Sequence, residues 1–231
     1  MGPRPATGTD PRVVKSDECS FADTRWDTPS EIGTTGPTGT GGPRQPSEFC
    51  PLILDLNGDG IHTTSLLDPA YFADVNDDGI ADPSGWTDPT TEEGFLWLDM
   101  NGSGEVDYGE LFGTRMRLPN GVIARNGFQA LSVYDDLVFG GNGDGVASSS
   151  DAIWRDLRIW IDRNHDGASQ PSEISKLDRF HIEEIGLAFE HEHTSDGRGN
   201  MVMLVGFYLK RHGNIITPHR ADDIGFRSMV P

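Results

Sequence analysis

The sequence has 231 residues, with 37 Asp and Glu against 18 Lys and Arg, which gives a formal net charge of −19. This charge argues against nucleic acid or an anionic membrane as the partner, because both would repel the chain. No apolar run is long enough to span a bilayer, and no apolar segment typical of a signal peptide follows Met1. The composition suits a protein that binds several divalent cations, since such ions would cancel much of the repulsion between carboxylates.

Residues 1–49 are predicted to be a linker or a disordered segment, because they are rich in Gly, Pro and Thr and lack hydrophobic periodicity. The two cysteines, Cys19 and Cys50, lie on either side of this stretch. A disulfide between them would require an oxidising compartment, and the alternative is two free thiols. Residues 50–231 are predicted to form one compact domain, with a motif-bearing part over 50–187 and a β-rich tail over 188–231.

From Pro51 onward, short apolar runs such as Leu52–Leu54 and Phe95–Leu98 each end in an Asp-rich turn. The later pattern predicts three helices, over Gly127–Tyr134, Asp151–Ile161 and Pro171–Phe180, and two strands, over Gly186–Glu192 and Met201–Lys210. These elements together predict an α+β fold.

A twelve-residue loop of the EF-hand type recurs along the domain. Calcium takes six to eight oxygen ligands, which an EF-hand supplies from loop positions 1, 3, 5, 7 (a backbone carbonyl), 9 and 12, with glycine at position 6. Two stretches match the whole template, and we call them the third loop (99–110) and the fifth loop (162–173). The predicted ligands of the third loop are Asp99, Asn101, Ser103, Glu105, Asp107 and Glu110. Those of the fifth loop are Asp162, Asn164, Asp166, Ala168, Gln170 and Glu173. The two predicted helices on either side of the fifth loop favour a helix–loop–helix.

Three further stretches match the template in part, and we call them the first (55–66), second (74–85) and fourth (140–151) loops. Their predicted ligands are Asp55, Asn57, Asp59 and Ile61; Asp74, Asn76, Asp78, Ile80 and Asp82; and Asn142, Asp144 and Asp151. In the first two, position 12 lacks a carboxylate, and Glu92 or Glu93 is the candidate to supply one. In the fourth, position 1 is Gly140, so Asp135 or Asp136 would serve only if Leu137–Gly141 bulges out. A single Asn-Gly-Asp-Gly sequence also forms a good hairpin turn. The prediction of two to five calcium ions therefore rests on the repetition of the pattern and on the two complete ligand sets.

A zinc site is a weaker alternative. His191 and His193 lie two residues apart on a predicted strand and share one face, with His181, His212 or His219 as a third ligand. Exposed polar residues on a half-buried strand explain this pattern better than a zinc site does. No nucleophile elbow, phosphate-binding loop or Cys/His catalytic arrangement is present.

The order of the motifs over residues 51–187 resembles the calcium-dependent self-processing module of secreted bacterial RTX (repeats-in-toxin) proteins. The resemblance is carried by Pro51–Ile61, Gly85-Trp86, Glu93–Leu96, Gly109–Gly113, Asn126–Leu131 and Leu157–Trp160. It implies an extracellular or cell-surface bacterial protein and calcium-triggered cleavage of an Asp-Pro bond at the start of the module, where the aspartate attacks its own carbonyl.

The matching bond in this chain is Cys50–Pro51, so the attacking aspartate is missing. A thiol there would have to close a strained four-membered ring, which makes it a poor substitute. Asp-Pro bonds do occur at Asp10-Pro11, Asp68-Pro69, Asp82-Pro83 and Asp88-Pro89. We therefore expect a calcium-binding module without catalysis and with an unidentified protein partner. Self-processing at another Asp-Pro bond is the first alternative. A cytosolic calcium sensor is the second, and the lack of a Met-rich helix argues against it.

Overall fold

The computed structural model describes residues 46–65, 71–74 and 80–229. Most of the predicted linker (1–45), the centre of the second loop (75–79) and Cys19 lie outside these residues, so the predictions made for them stay predictions. The described strands are β1 Pro46–Phe49, β2 Leu52–Asp55, β3 Tyr71–Ala73, β4 Asp82–Ser84, β5 Glu93–Leu98, β6 Val146–Ser148, β7 Leu157–Trp160, β8 Ile174–Lys176, β9 Ile182–Gly186, β10 Glu190–Ser195, β11 Met201–His212 and β12 Ile215–Met229.

Helical structure is sparse in the same residues. One α-helix, α1 (Gly127–Ser132), is accompanied by five 3-10 turns, over Tyr108–Glu110, Val133–Asp135, Leu137–Phe139, Ala152–Arg155 and Leu177–Phe180. None of the described helices is long and apolar enough to cross a membrane.

The strands form one curled antiparallel sheet, in the order β6-β9-β11-β12-β2-β5-β7-β8. β1 and β4 also pair with β12, β3 pairs with β4, and β10 pairs with β11. The predicted α+β class is therefore wrong, because the fold is mostly β. The long strands β11 and β12 pair over most of their length, from Met201↔Gly225 to His212↔Ile215, so the predicted tail supplies the middle of the sheet.

Two predicted helices are replaced by strands. The segment predicted as a helix over Asp151–Ile161 forms a 3-10 turn followed by β7, and that over Pro171–Phe180 forms β8 and another 3-10 turn. Both faces of β7 are buried, so its apolar residues follow one another without the alternation of a half-exposed strand, and the run is easily read as a broad helical face. The predicted helix over Gly127–Tyr134 is confirmed as α1, which continues into a 3-10 turn.

Each face of the sheet carries its own core. Leu52, Leu54, Leu96 and Ile159 point to an aliphatic face that is covered by α1 and its Phe128. The opposite face carries an aromatic cluster of Phe49, Tyr71, Trp86, Phe95, Trp97, Trp160 and Phe226. Burial of apolar surface on both faces is the main source of stability that the described residues offer.

Candidate metal-binding loops

The two complete loops lie against the aromatic face and contact each other. The third loop follows β5 and is closed by a bridge between Trp97 and Leu111, while the fifth loop connects β7 and β8 as the loop of a hairpin. The backbone N–H of Val106 donates to Ser169 Oγ at 2.7 Å, and Tyr108 Oη donates to the carbonyl of Gly167 at 3.1 Å. The predicted helix–loop–helix setting of the fifth loop is therefore wrong, since strands enter and leave it.

The third loop has the internal hydrogen bonds of a closed loop. The carboxylate of Asp99, at position 1, accepts from the backbone N–H groups of residues 102–104 at 2.7–3.1 Å. Glu110, at position 12, is buried and returns to the start of the loop, where Oε1 accepts from the N–H groups of residues 100 and 101 at 2.9 and 3.0 Å. Its Oε2 accepts from Trp97 Nε1 at 3.1 Å, which joins the loop to the aromatic cluster.

The fifth loop contains a buried carboxylate that is only half satisfied. Asp162 Oδ2 accepts from Gly167 N at 3.1 Å and from Trp86 Nε1 at 3.0 Å. Its Oδ1 is buried without a hydrogen-bond partner among the described residues. Burial, together with the charges of Glu173 and Asp166, raises the pKa of Asp162 to about 6. An ionised carboxylate in this position is costly unless a cation or donor compensates it.

Side-chain amides contact the remaining oxygens of the fifth loop. Gln170 Nε2 donates to Asp166 Oδ2 at 3.0 Å and to the carbonyl of Ala168 at 2.8 Å, and Asn164 Nδ2 donates to Asp166 Oδ2 at 2.8 Å. The predicted ligands at positions 3, 5, 7 and 9 are therefore brought together. The residues fit a calcium ion, because rotation of either amide would turn its oxygen toward the same point.

The fourth loop takes its first carboxylate from before an insertion. Asp135 accepts from Gly143 N at 2.9 Å and from Gly145 N at 3.0 Å, the same loop positions at which Asp55 accepts in the first loop. The 3-10 turn Leu137–Phe139 bulges out between Asp135 and the rest of the loop.

Two residues around this bulge explain why Asp135, and not Asp136, reaches the loop. Asp136 instead caps the turn by accepting from Val138 N at 2.8 Å. A Cβ on Gly141 would lie 2.2 Å from the Asp135 backbone, so only glycine fits at this crossing. Asp151 closes the loop by accepting from Asn142 N at 3.2 Å and from Ser148 N at 2.7 Å.

The first loop is completed from β5. Asp55 lies directly opposite Glu93 in the β2–β5 pair, and both carboxylates are buried. Glu93 Oε1 accepts from His62 N at 3.0 Å, and the Thr91 hydroxyl donates to Oε2. Burial raises the pKa of Glu93, against the effect of these hydrogen bonds. Of the two predicted candidates, Glu93 therefore reaches the loop.

The other candidate, Glu92, is not part of the first loop. Its carboxylate lies 3.8 Å from Arg163, at the surface. In contrast, ligand atoms of Asp59, His62 and Glu93 all lie within 4.8 Å of one another. Sequence reasoning missed His62, which stands at position 8, where the EF-hand template expects no ligand.

The zinc alternative finds no third ligand in the described part of the chain. The rings of His191 and His193 are stacked 5.7 Å apart, but no His, Cys, Asp or Glu there forms with them a group of ligand atoms within 4.8 Å. In the second loop, Asp74 and Ile80 are described, but the placement of Asn76 and Asp78 and the side chain of Asp82 are not, so its assignment stays a prediction.

The Cys50–Pro51 bond, which stands where the self-processing resemblance places the cleaved bond, lies inside the fold. Cys50 is fully buried, its N–H donates to Thr114 Oγ1 at 3.2 Å, and its carbonyl accepts from Thr114 N at 3.2 Å. Of the Asp-Pro bonds, Asp88-Pro89 is described with its side chains, and Thr90 holds the Asp88 carboxylate at 2.6 and 2.9 Å and lowers its pKa. The predicted pairing of Cys19 with Cys50 lies outside the described residues, since Cys19 does.

Comparison with known proteins identifies a matching family and a relative of this chain. A family model described as the SPM domain matches residues 52–226, about three quarters of the chain. A curated relative, the iron-regulated protein FrpA of Neisseria meningitidis serogroup C, is 37% identical over 167 residues. The match covers 71% of this chain and 14% of the relative, so the chain spans a small part of that protein.

Proposed function

This chain belongs to the SPM domain family over residues 52–226, which contain all five loops, and we propose that it binds several calcium ions through the second to fifth loops and folds in dependence on those ions. The described residues support the third, fourth and fifth loops as calcium sites. The second loop is proposed on its sequence alone. We assign the module to the outside of a bacterial cell, where millimolar calcium fills even sites of 10⁻⁴–10⁻³ M affinity.

The observation that carries this proposal is the state of Asp162. Its Oδ1 is buried without a hydrogen-bond partner in the described chain, and the carboxylates of Asp166 and Glu173 raise its pKa further. Such an arrangement is unfavourable without a cation, whereas a calcium ion would supply the missing partner and offset the repulsion.

Calcium binding is coupled to folding through the aromatic cluster. Trp86 donates to Asp162 at position 1 of the fifth loop, and Trp97 donates to Glu110 at position 12 of the third. An ion that fixes these carboxylates also fixes the two indoles, which pack among Tyr71, Phe95 and Phe226. Without the ion, repulsion between carboxylates acts directly on this core, so chelation is expected to loosen the fold.

We propose a module without catalysis. Cys50 replaces the aspartate that the reaction requires, and the Cys50 carbonyl is buried against Thr114. The SPM family match and the FrpA relative also support the alternative of Asp-Pro self-processing, which predicts a different product in the same experiment.

The test is intact mass under native conditions together with far-UV circular dichroism, on protein dialysed into chelator and then returned to millimolar calcium. We expect discrete additions of two or more calcium masses and a gain of β-sheet signal with calcium but not with equal magnesium. Unchanged spectra and no added calcium mass would refute the proposal. Calcium-dependent splitting of the chain would support self-processing instead, and the fragment masses would name the bond.

A further inference from the structure

We infer that the first loop is a site for a first-row transition-metal ion of the Mn²⁺ or Zn²⁺ class, bound by Asp59, His62 and Glu93. The site is distinct from the proposed calcium loops and does not rest on their binding calcium. For residues 55–66, whose sequence predicts an incomplete calcium loop, this inference replaces both the predicted ligands and the predicted metal.

The ligand atoms are close enough to share one ion. His62 Nε2 lies 3.3 Å from Asp59 Oδ1, and all three residues offer ligand atoms within 4.8 Å of one another. Two ligands bonded at about 2.0–2.2 Å to one zinc-sized ion lie at most about 4.4 Å apart, so a small adjustment suffices. Elsewhere in the described chain, no three His, Cys, Asp or Glu residues form such a group.

A second observation is the buried pair of carboxylates behind this group. Asp55 and Glu93 face each other across β2 and β5 and are 3% and 1% exposed. Among the described residues, no Lys or Arg forms an ion pair with either one, and the ammonium of Lys210 donates instead to the Leu56 carbonyl. Two adjacent buried carboxylates favour a positive charge nearby, which a metal ion held by Glu93 would supply.

The donor set favours a transition metal over calcium. Calcium selects oxygen ligands, whereas one member of this group is the imidazole of His62. An imidazole with two carboxylates instead suits Mn²⁺, Zn²⁺ or a similar ion, with water completing the coordination. The His62 side chain is 42% exposed, which leaves a route for the ion to enter.

Neighbouring groups already hold the ligands in position. The backbone N–H of His62 donates to Glu93 Oε1, so one ligand is tied to the next. The Thr91 hydroxyl donates to the other Glu93 oxygen, and Asn57 Oδ1 accepts from Asp59 N at 3.2 Å. Such outer contacts orient ligands at metal sites.

The experiment is a titration of the whole chain with Mn²⁺ in millimolar calcium, read by pulsed electron paramagnetic resonance, with Zn²⁺ as competitor. We expect one Mn²⁺ site that shows coupling to a nitrogen nucleus and is displaced by Zn²⁺. The variant His62→Gln should lose the nitrogen coupling and weaken Mn²⁺ binding at least about 10-fold. The control His212→Gln, which alters an exposed histidine at the end of β11, should retain both.

Three results would overturn the inference. They are no bound Mn²⁺ or Zn²⁺ in the presence of calcium, bound Mn²⁺ without nitrogen coupling, and full displacement of Mn²⁺ by millimolar calcium. Circular dichroism of His62→Gln in calcium separates loss of a ligand from loss of the fold, and Glu93→Gln gives a second ligand variant. Calcium mass additions are measured separately, so failure here is distinguishable from failure of calcium binding.

Discussion

The fifth and fourth loops reach similar arrangements by different routes. In the fifth loop, Asp162 and Glu173 stand at positions 1 and 12 of one uninterrupted segment, and the β7–β8 hairpin holds its ends together. In the fourth loop, the first carboxylate is Asp135, which is separated from the rest by a 3-10 turn, and the last is the shorter Asp151. In both loops the first carboxylate accepts from the N–H of the glycine at position 6.

This difference shows which feature of the loop template the structure requires. The position-1 carboxylate is recognised by the backbone N–H groups that it accepts from, not by its distance along the chain. An insertion is tolerated where it leaves as a separate turn, as Leu137–Phe139 does with Leu137 and Val138 exposed to solvent. We expect the fifth loop to bind calcium more tightly, because a glutamate closes it and its ends are fixed by strand pairing.

The largest expected effect is at Glu173. The variant Glu173→Gln should weaken calcium binding at the fifth loop by at least about 100-fold, because it removes the charge and the bidentate contact at position 12. The total of bound ions should fall by one in isothermal titration calorimetry. The matched control is Glu190→Gln, which removes the charge of an exposed side chain on β10 and should leave the titration unchanged. Equal weakening by both variants would mean that net charge, and not the loop, governs binding.

A second, smaller effect is expected at the insertion. Asp135→Asn should weaken calcium binding at the fourth loop about 10-fold, because Asp135 supplies the position-1 carboxylate. Its neighbour is the matched control, since Asp136→Asn changes a cap on the turn and should alter calcium affinity by less than about 2-fold. The amide resonances of Gly143 and Gly145 in a calcium titration followed by NMR would report on this loop alone. A larger loss with Asp136→Asn would reverse the assignment.

The sequence predicts the loops better than the elements that carry them. The ligand pattern of residues 99–110 and 162–173 depends on local backbone geometry, which is why their internal hydrogen bonds follow the template. The flanking segments depend on long-range pairing, as in Phe95↔Trp160, which makes β7 a strand although its apolar residues suggest a helix. His62 and Glu93 could not be paired from sequence, because 31 positions separate them and only the β2–β5 register brings them together.

Asp223 is a buried carboxylate outside the loops, and it can be compared with Asp162. Asp223 on β12 is fully buried, its Oδ2 accepts from Gly127 N at 2.8 Å, and its Oδ1 has no partner in the described chain. Burial, with the nearby Asp222 charge, raises the pKa of Asp223 to about 8. Asp162 is likewise buried, with an unpartnered Oδ1 and a raised pKa. However, it lies among further oxygen ligands that a cation would bind, whereas Asp223 accepts a hydrogen bond from the start of α1.

The smallest effect therefore concerns Asp223→Asn and its dependence on pH. The folded protein holds a proton on Asp223 up to about pH 8, whereas the unfolded chain releases it near pH 4, so this residue lowers the free energy of unfolding as the pH rises through that range. Asparagine carries no such penalty and still accepts from Gly127. We expect the variant to match the parent near pH 4 and to be more stable by at least about 1 kcal/mol at pH 8.

Urea unfolding at several pH values in saturating calcium would measure this difference. The exposed Asp178→Asn variant controls for net charge and should run parallel to the parent at every pH. A pH-independent difference between Asp223→Asn and the parent would mean that Asp223 is ionised in the folded state, which requires a cation bound beside it. In that case the contrast with Asp162 would disappear, and both buried carboxylates would have to be treated as parts of ion sites.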